Sequence, residues 1–214
     1  MGRIWEWREE EADAWLQESR RLLAGGGILA LPTETFYALA ADPYQTGALQ
    51  RLFALKGRAE DKPVLLLVAD ANMARQVALG IPEVALRLMA RFWPGPLTLI
   101  LPAKGDLPDL VTAGTGTVGV RQPRQPAVCR WLADLGSPVT GTSANRAGNE
   151  PLTRAAEVAR EFGHDVDLIL DAGPCPGGLA STVVDVTVSP PRLVRAGVIS
   201  KADLASIVPD LPTR

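Results

Sequence analysis

The chain has 214 residues, 47% of them apolar, with 22 basic and 24 acidic side chains for a formal net charge of −2. That length supports a sizeable core in a single domain spanning 1–214, and the balanced charge argues against a general nucleic-acid coat while allowing a locally basic groove. Two cysteines, Cys129 and Cys175, make neither a disulfide framework nor a zinc pattern. The first residues lack the apolar core of a signal peptide and no apolar run reaches membrane-spanning length, so a cytoplasmic protein is expected.

The first helix is expected over 10–23, with Ala12, Trp15, Leu16, Leu22 and Leu23 on its apolar face. Gly25-Gly26-Gly27 stops it. No Lys-Ser or Lys-Thr follows at Walker spacing, so the triple glycine reads as a helix terminator. An apolar strand covers 28–31 and ends at Pro32. A helix over 46–55 carries Leu49, Leu52 and Phe53 at helical spacing, and 64–68 is a strand apolar on both faces. Helices over 71–79 and 83–92 lead to strands over 97–101 and 118–120. A helix over 127–135 then precedes a strand at 139–140. Thr153 is expected to N-cap a helix running to 162. Strands over 168–170, 182–188 and 193–195 follow, with a last helix over 200–208 capped by Ser200 and Asp203. Helices and strands mix without strict alternation, which predicts an α/β domain with one open, twisted, mixed sheet. The prolines and glycines between elements predict shaped loops around a cleft.

Several local patterns carry chemistry only in the right context. Gly114-Thr115-Gly116-Thr117-Val118-Gly119 spells a dinucleotide fingerprint, but a strand follows it where a helix is required, so it reads as a loop entering a strand. His164, the single histidine, sits in a polar turn and has no nucleophile elbow to serve. Lys56 and Arg58 fall at the end of a helix, where they complement its dipole. With Lys62 before the next strand they also make a phosphate clamp, Arg58 gripping bidentately. Thr140, Thr142 and Ser143 place hydroxyls at the end of a buried strand, a favoured ligand position in open α/β sheets.

Taken in order, the motifs resemble the YrdC/TsaC family of threonylcarbamoyl-adenylate synthases. The resemblance rests on Pro32-Thr33-Glu34-Thr35-Phe36-Tyr37, Lys56-Gly57-Arg58, Trp93-Pro94-Gly95-Pro96-Leu97-Thr98, Thr117-Val118-Gly119-Val120-Arg121, Ser143-Ala144-Asn145, Ser181-Thr182-Val183-Val184-Asp185 and Arg195-Ala196-Gly197. It covers nearly the whole chain and is similar to the short, single-domain form.

The resemblance implies an open α/β fold around a deep basic cavity. It implies that L-threonine, bicarbonate and ATP give threonylcarbamoyl-AMP and pyrophosphate, with Mg2+ carried by ATP. A downstream transferase would pass the group to an adenosine beside a tRNA anticodon, and direct contact with tRNA or double-stranded RNA is left open. By family position, Thr35, Arg121, the Gly141 backbone and Ser181 hold threonine, with Arg121 on its carboxylate. Arg58, Lys62, Thr117, Ser143, Asn145 and Arg195 line the ATP side. Lys56, Arg58, Ser143 and Asn145 form the catalytic set, in which Lys56 and Arg58 neutralise phosphate charge; truncating either at the helix end is expected to cost little stability. This chain has Lys62 and Leu67 where longer members have asparagine and histidine, and Pro151 where a serine is frequent. The alternative function is an RNA-binding paralogue of the same fold, and the intact Ser143 and Asn145 favour the enzyme. A carbamoyl-transfer domain of hydrogenase maturation would lie in a longer chain with zinc-finger cysteines.

Overall fold

The computed structural model describes residues 3–57, 59, 61–209 and 211–213. The chain opens with β1 (Arg3–Glu6), α1 (Ala12–Ala24), β2 (Leu29–Leu31), β3 (Ala38–Ala40) and α2 (Thr46–Lys56). It continues through β4 (Leu66–Leu67), α3 (Ala71–Val77), α4 (Glu83–Phe92), β5 (Leu97–Pro102), α5 (Asp109–Thr112) and β6 (Thr117–Arg121). Then come α6 (Pro126–Leu135), β7 (Val139–Thr140), β8 (Thr142–Ser143), α7 (Ala155–Phe162), β9 (Leu168–Asp171), β10 (Thr182–Asp185), β11 (Arg192–Arg195) and α8 (Lys201–Ala205). None of these helices is long and apolar enough to cross a membrane.

The single expected sheet is in fact two. One has the order β1-β9-β2-β3-β8 and the other β11-β10-β5-β6-β4-β7. Both mix parallel and antiparallel neighbours, as in β9 parallel to β2 and β5 antiparallel to β6. The chain passes between the sheets after β3, β7 and β9, most abruptly at Gly141, between β7 on β4 and β8 on β3. There the Gly141 N–H donates to Leu65 O at 2.8 Å, and Thr140 exchanges bonds with Ala41 on the other side. A Cβ at Gly141 would sit 2.5 Å from Leu67 Cγ, so the crossing requires glycine against the fully buried Leu67.

Strand periodicity sorts the apolar side chains. In β2 and β9, Leu29, Leu31, Leu168 and Leu170 pack with Trp15, Val128, Trp131 and Leu132 of α1 and α6. Ala30 and Ile169, on the opposite face, pack with Leu52, Val158 and Phe162 of α2 and α7. Both faces are covered, which is why these strands read as continuous apolar runs. The second sheet buries Leu66, Leu99, Leu101, Val118, Val120 and Val184 against α3, α4 and α8. The buried Trp131 indole N–H donates to Ser19 Oγ at 2.7 Å, so its one polar atom is satisfied.

Helix ends follow local chemistry with one correction. Gly25 caps α1 and Gly26 adopts φ 76°, so the triple glycine terminates the helix as expected. Ser200 and Asp203 form the reciprocal cap of α8. Thr153 does not cap α7: Arg154 holds that position, and the Glu157 carboxylate takes the N–H groups of Thr153 and Arg154 at 3.1 Å each. An acid three residues into the helix serves both orphan donors and favours the dipole, which a hydroxyl at 153 does not. The strand expected to reach 188 stops at Asp185. Its carboxylate accepts from Thr187 N at 2.9 Å and turns the chain.

The segment 197–199 lies on 180–182 through Val198 N to Ala180 O at 3.0 Å and the Thr182 hydroxyl with Ile199. A Cβ at Gly197 would overlap Ala180 O and come within 2.6 Å of Ser181 C and Thr182 N, all backbone. Gly197→Ala is expected to cost about 1–3 kcal/mol, the range for overpacking. Gly80→Ala, with nothing within 4 Å of the added carbon, should stay within about 0.5 kcal/mol. Denaturant unfolding of both variants checks this, and equal stabilities would contradict it.

Candidate functional site

A pocket of about 370 Å3 opens between the two sheets, beside the Gly141 crossing. Thr35, Thr117, Arg121, Gly141, Ser143, Ser181 and Arg195 all line it, so seven residues singled out in the sequence meet at one place. Lys56 and Asn145 stand behind Ser143, and Lys62 is exposed next to the lining residue Pro63. Arg58 lies outside the described residues.

The loop before β3 is organised by one hydroxyl. Thr33 Oγ1 accepts from the N–H groups of Thr35 and Phe36 at 3.2 and 3.3 Å and donates to Phe36 O at 2.8 Å. It also lies 3.0 Å from Thr35 Oγ1. The same loop carries Glu34, whose Oε2 accepts from Arg124 N at 2.8 Å and whose Oε1 faces Arg121 Nε at 3.5 Å. Arg121 ends β6 and is 5% exposed. Neither Arg121 Nε nor Glu34 Oε1 has a hydrogen-bond partner among the described residues. Burial lowers the Arg121 pKa from its ordinary value, with the Glu34 carboxylate opposing that shift. A buried guanidinium paired only at ion-pair distance retains strong affinity for an anion.

A second arginine is fixed on the opposite wall. Arg195, at the end of β11, donates through Nε and Nη2 to Ser181 O at 3.1 and 2.9 Å and through Nη2 to Ser181 Oγ at 2.9 Å. Ser181 Oγ in turn lies 2.9 Å from Thr98 Oγ1 on β5. Burial lowers the Arg195 pKa, and the charge of Arg121 lowers it further. The two guanidinium groups therefore feel each other across the pocket.

The third group joins α2 to the β8 loop. The Lys56 ammonium donates to Ser143 O, to Asn145 O at 2.8 Å and to Asn145 Oδ1 at 3.1 Å. Lys56 is 5% exposed. The helix-end cation expected to be removable at little cost is thus a buried ammonium that donates to the loop after β8. Its α2 ends at Gly57 in the left-handed region, φ 60°, which lets the chain turn away while the side chain reaches inward.

Sequence reasoning missed the pairing of Glu34 with Arg121 and of Thr98 with Ser181. The available signals were an acid beside an apolar strand and a lone hydroxyl inside Leu97-Thr98-Leu99-Ile100-Leu101. Thr140, offered as a ligand hydroxyl, is spent on Ala41 N at 2.8 Å and is fully buried. Gly114 and Gly116 form the turn into β6 with φ 67° and 68°, as expected of a loop rather than a fingerprint. His164 is an exposed turn residue. Burial pushes the Cys175 thiol up to about 11, so it stays protonated at neutral pH and is a poor nucleophile. The arrangement suits binding of anions and a small polar ligand, with hydroxyls placed to orient them.

The chain is similar in sequence and fold to known proteins. A family model for Sua5, YciO and YrdC, described as telomere recombination, matches residues 21–197. The threonylcarbamoyl-AMP synthase of Pyrococcus abyssi is 35% identical over 209 residues, covering 98% of this chain and 59% of that protein. The threonylcarbamoyl-AMP synthase of Bacillus subtilis is 36% identical over 197 residues, covering 92% and 57%. The crystal structure of P. abyssi Sua5 complexed with L-threonine matches with a TM-score of 0.92 at 33% identity, over 100% of this chain and 62% of that one. The chain spans about three-fifths of the length of these relatives. It belongs to the Sua5/YciO/YrdC family.

Proposed function

We propose that this chain is an L-threonylcarbamoyladenylate synthase, carrying the reaction in one domain that works in the cytoplasm. The observation that carries the reading is the buried Arg121, held against Glu34 in a pocket it shares with Arg195, Thr35 and Ser181. The names of the relatives and the threonine in the P. abyssi complex support the same ligand chemistry.

In this reading the threonine carboxylate lies on Arg121, with Thr35, the Gly141 backbone and Ser181 around the rest of the amino acid. Its amine and bicarbonate form a carbamate and release water. A carbamate oxygen then forms a bond to the α-phosphorus of ATP as the bond to the β-phosphate oxygen breaks, releasing pyrophosphate. Arg58, Lys62, Thr117, Ser143 and Arg195 form the nucleotide side. Such a transfer depends on in-line positioning and neutralised charge rather than a dedicated base. We assign magnesium to the MgATP substrate, where it would offset phosphate charge. The product is a reactive mixed anhydride, and a separate transferase acting on tRNA would consume it.

Purified protein with MgATP, L-threonine and bicarbonate should release pyrophosphate, and omission of any one should abolish release. Equal release without threonine would overturn the synthase reading. Arg121→Lys keeps the charge but loses the two-pronged grip on a carboxylate. It should weaken threonine binding by about 1.5–3 kcal/mol, the scale of a charged hydrogen bond, with little change for ATP. Separate calorimetric titrations check this, and a variant impaired for ATP alone would place Arg121 on the other ligand.

A further inference from the structure

We infer that Lys56 and Asn145 are positioning residues that lock the loop after β8, and that Ser143 is the member of this group presented to the nucleotide. The inference rests on the synthase reading only for the identity of that ligand. An ammonium has three N–H donors and no acceptor. All three of those on Lys56 have protein acceptors: Ser143 O, Asn145 O and Asn145 Oδ1. The lysine can only donate, so the Asn145 atom facing it must be the amide oxygen, which fixes the orientation of the side chain. Asn145 Oδ1 also accepts from Ser143 Oγ at 2.6 Å. Asn145 Nδ2 gives its two hydrogens to Arg146 O at 3.1 Å and Asn149 O at 2.9 Å.

Every donor on Lys56 and every hydrogen-bonding site on the Asn145 amide is therefore engaged within the protein. Neither retains a group for a phosphate unless this loop comes apart. Ser143, which has given its single proton to Asn145, still lines the pocket with its oxygen. The backbone reinforces the lock, because Ala147 N donates to Lys56 O at 2.7 Å. One buried cation thus ties the end of α2 to a loop from the other end of the site, and the precision of Ser143 depends on it.

Hydrogen exchange on the ligand-free protein tests this without any reaction. In Lys56→Met and in Asn145→Ala, the amides of Asn145, Ala147 and Asn149 should exchange about tenfold faster or more, since each variant frees the same loop. ATP affinity by calorimetry should fall by about tenfold in each. The double variant should lose no more than the worse single one, because both changes release one unit. Threonine affinity and a cooperative melt report that the rest of the fold is intact. Asn145→Ala, at a partly exposed position, keeps the test open should Lys56→Met fail to fold. Unchanged loop exchange in a Lys56→Met protein that has lost ATP binding would show the lysine gripping phosphate and overturn the inference. A double variant whose loss is the product of the two single losses would overturn it too. The expected exchange response in a protein that binds no ATP would support the lock and contradict the nucleotide reading.

Discussion

A guanidinium buried where two sheets meet governs the pocket around it. Removing a cation from water is costly unless an anion or a set of acceptors replaces the water. Among the described residues, Arg121 has one carboxylate, Glu34, at ion-pair distance, and its Nε has no hydrogen-bond partner. Arg195, across the same pocket, adds like charge rather than relief. The protein tolerates this because the surrounding backbone is fixed by other means: the Thr33 hydroxyl shapes one wall and Ser181 pins the second arginine. An anionic ligand would complete the electrostatics that the fold leaves unbalanced.

Such a pocket requires walls that approach closely and do not yield. Two glycines make the approach. Gly141 allows the chain to pass over Leu67 as it changes sheets, and Gly197 lays the segment after β11 on the backbone before β10. Neither position tolerates even a methyl group without movement of its neighbours. Packing of the first sheet on both faces, and of the second against α3, α4 and α8, resists that movement. Precision at Ser181 and Ser143 is therefore a property of the scaffold, supplied by backbone contacts and by the buried Lys56 ammonium.

Much of this was legible in the sequence, and the remainder was hidden for identifiable reasons. The helix with Trp15 and Leu23, its glycine stop and the apolar strands declared themselves by period and punctuation. Strands β3 and β8, three and two residues long, are too short for any period to register. The division into two sheets depends on long-range strand pairing, with changes of sheet after β3, β7 and β9, which no local pattern announces. Six of the seven site residues lie in the ordered motifs and Gly141 two residues before one of them, yet the motifs did not say what each side chain touches. Lys56 looked like a helix-end cation because its acceptors lie 87 and 89 residues further along the chain. Glu34 lies within one of the ordered motifs, but its partner Arg121 is brought to it only by the meeting of the sheets.

The central claim is that this pocket joins threonine, through a carbamate, to the adenylyl group of ATP. Incubation with 13C-bicarbonate, threonine and MgATP, followed by mass spectrometry of the small molecules, tests it most directly. The account predicts an acyl-adenylate containing threonine, AMP and the labelled carbon. An adenylate that forms without the label, or nucleotide consumption with no threonine-containing adenylate at all, would contradict it.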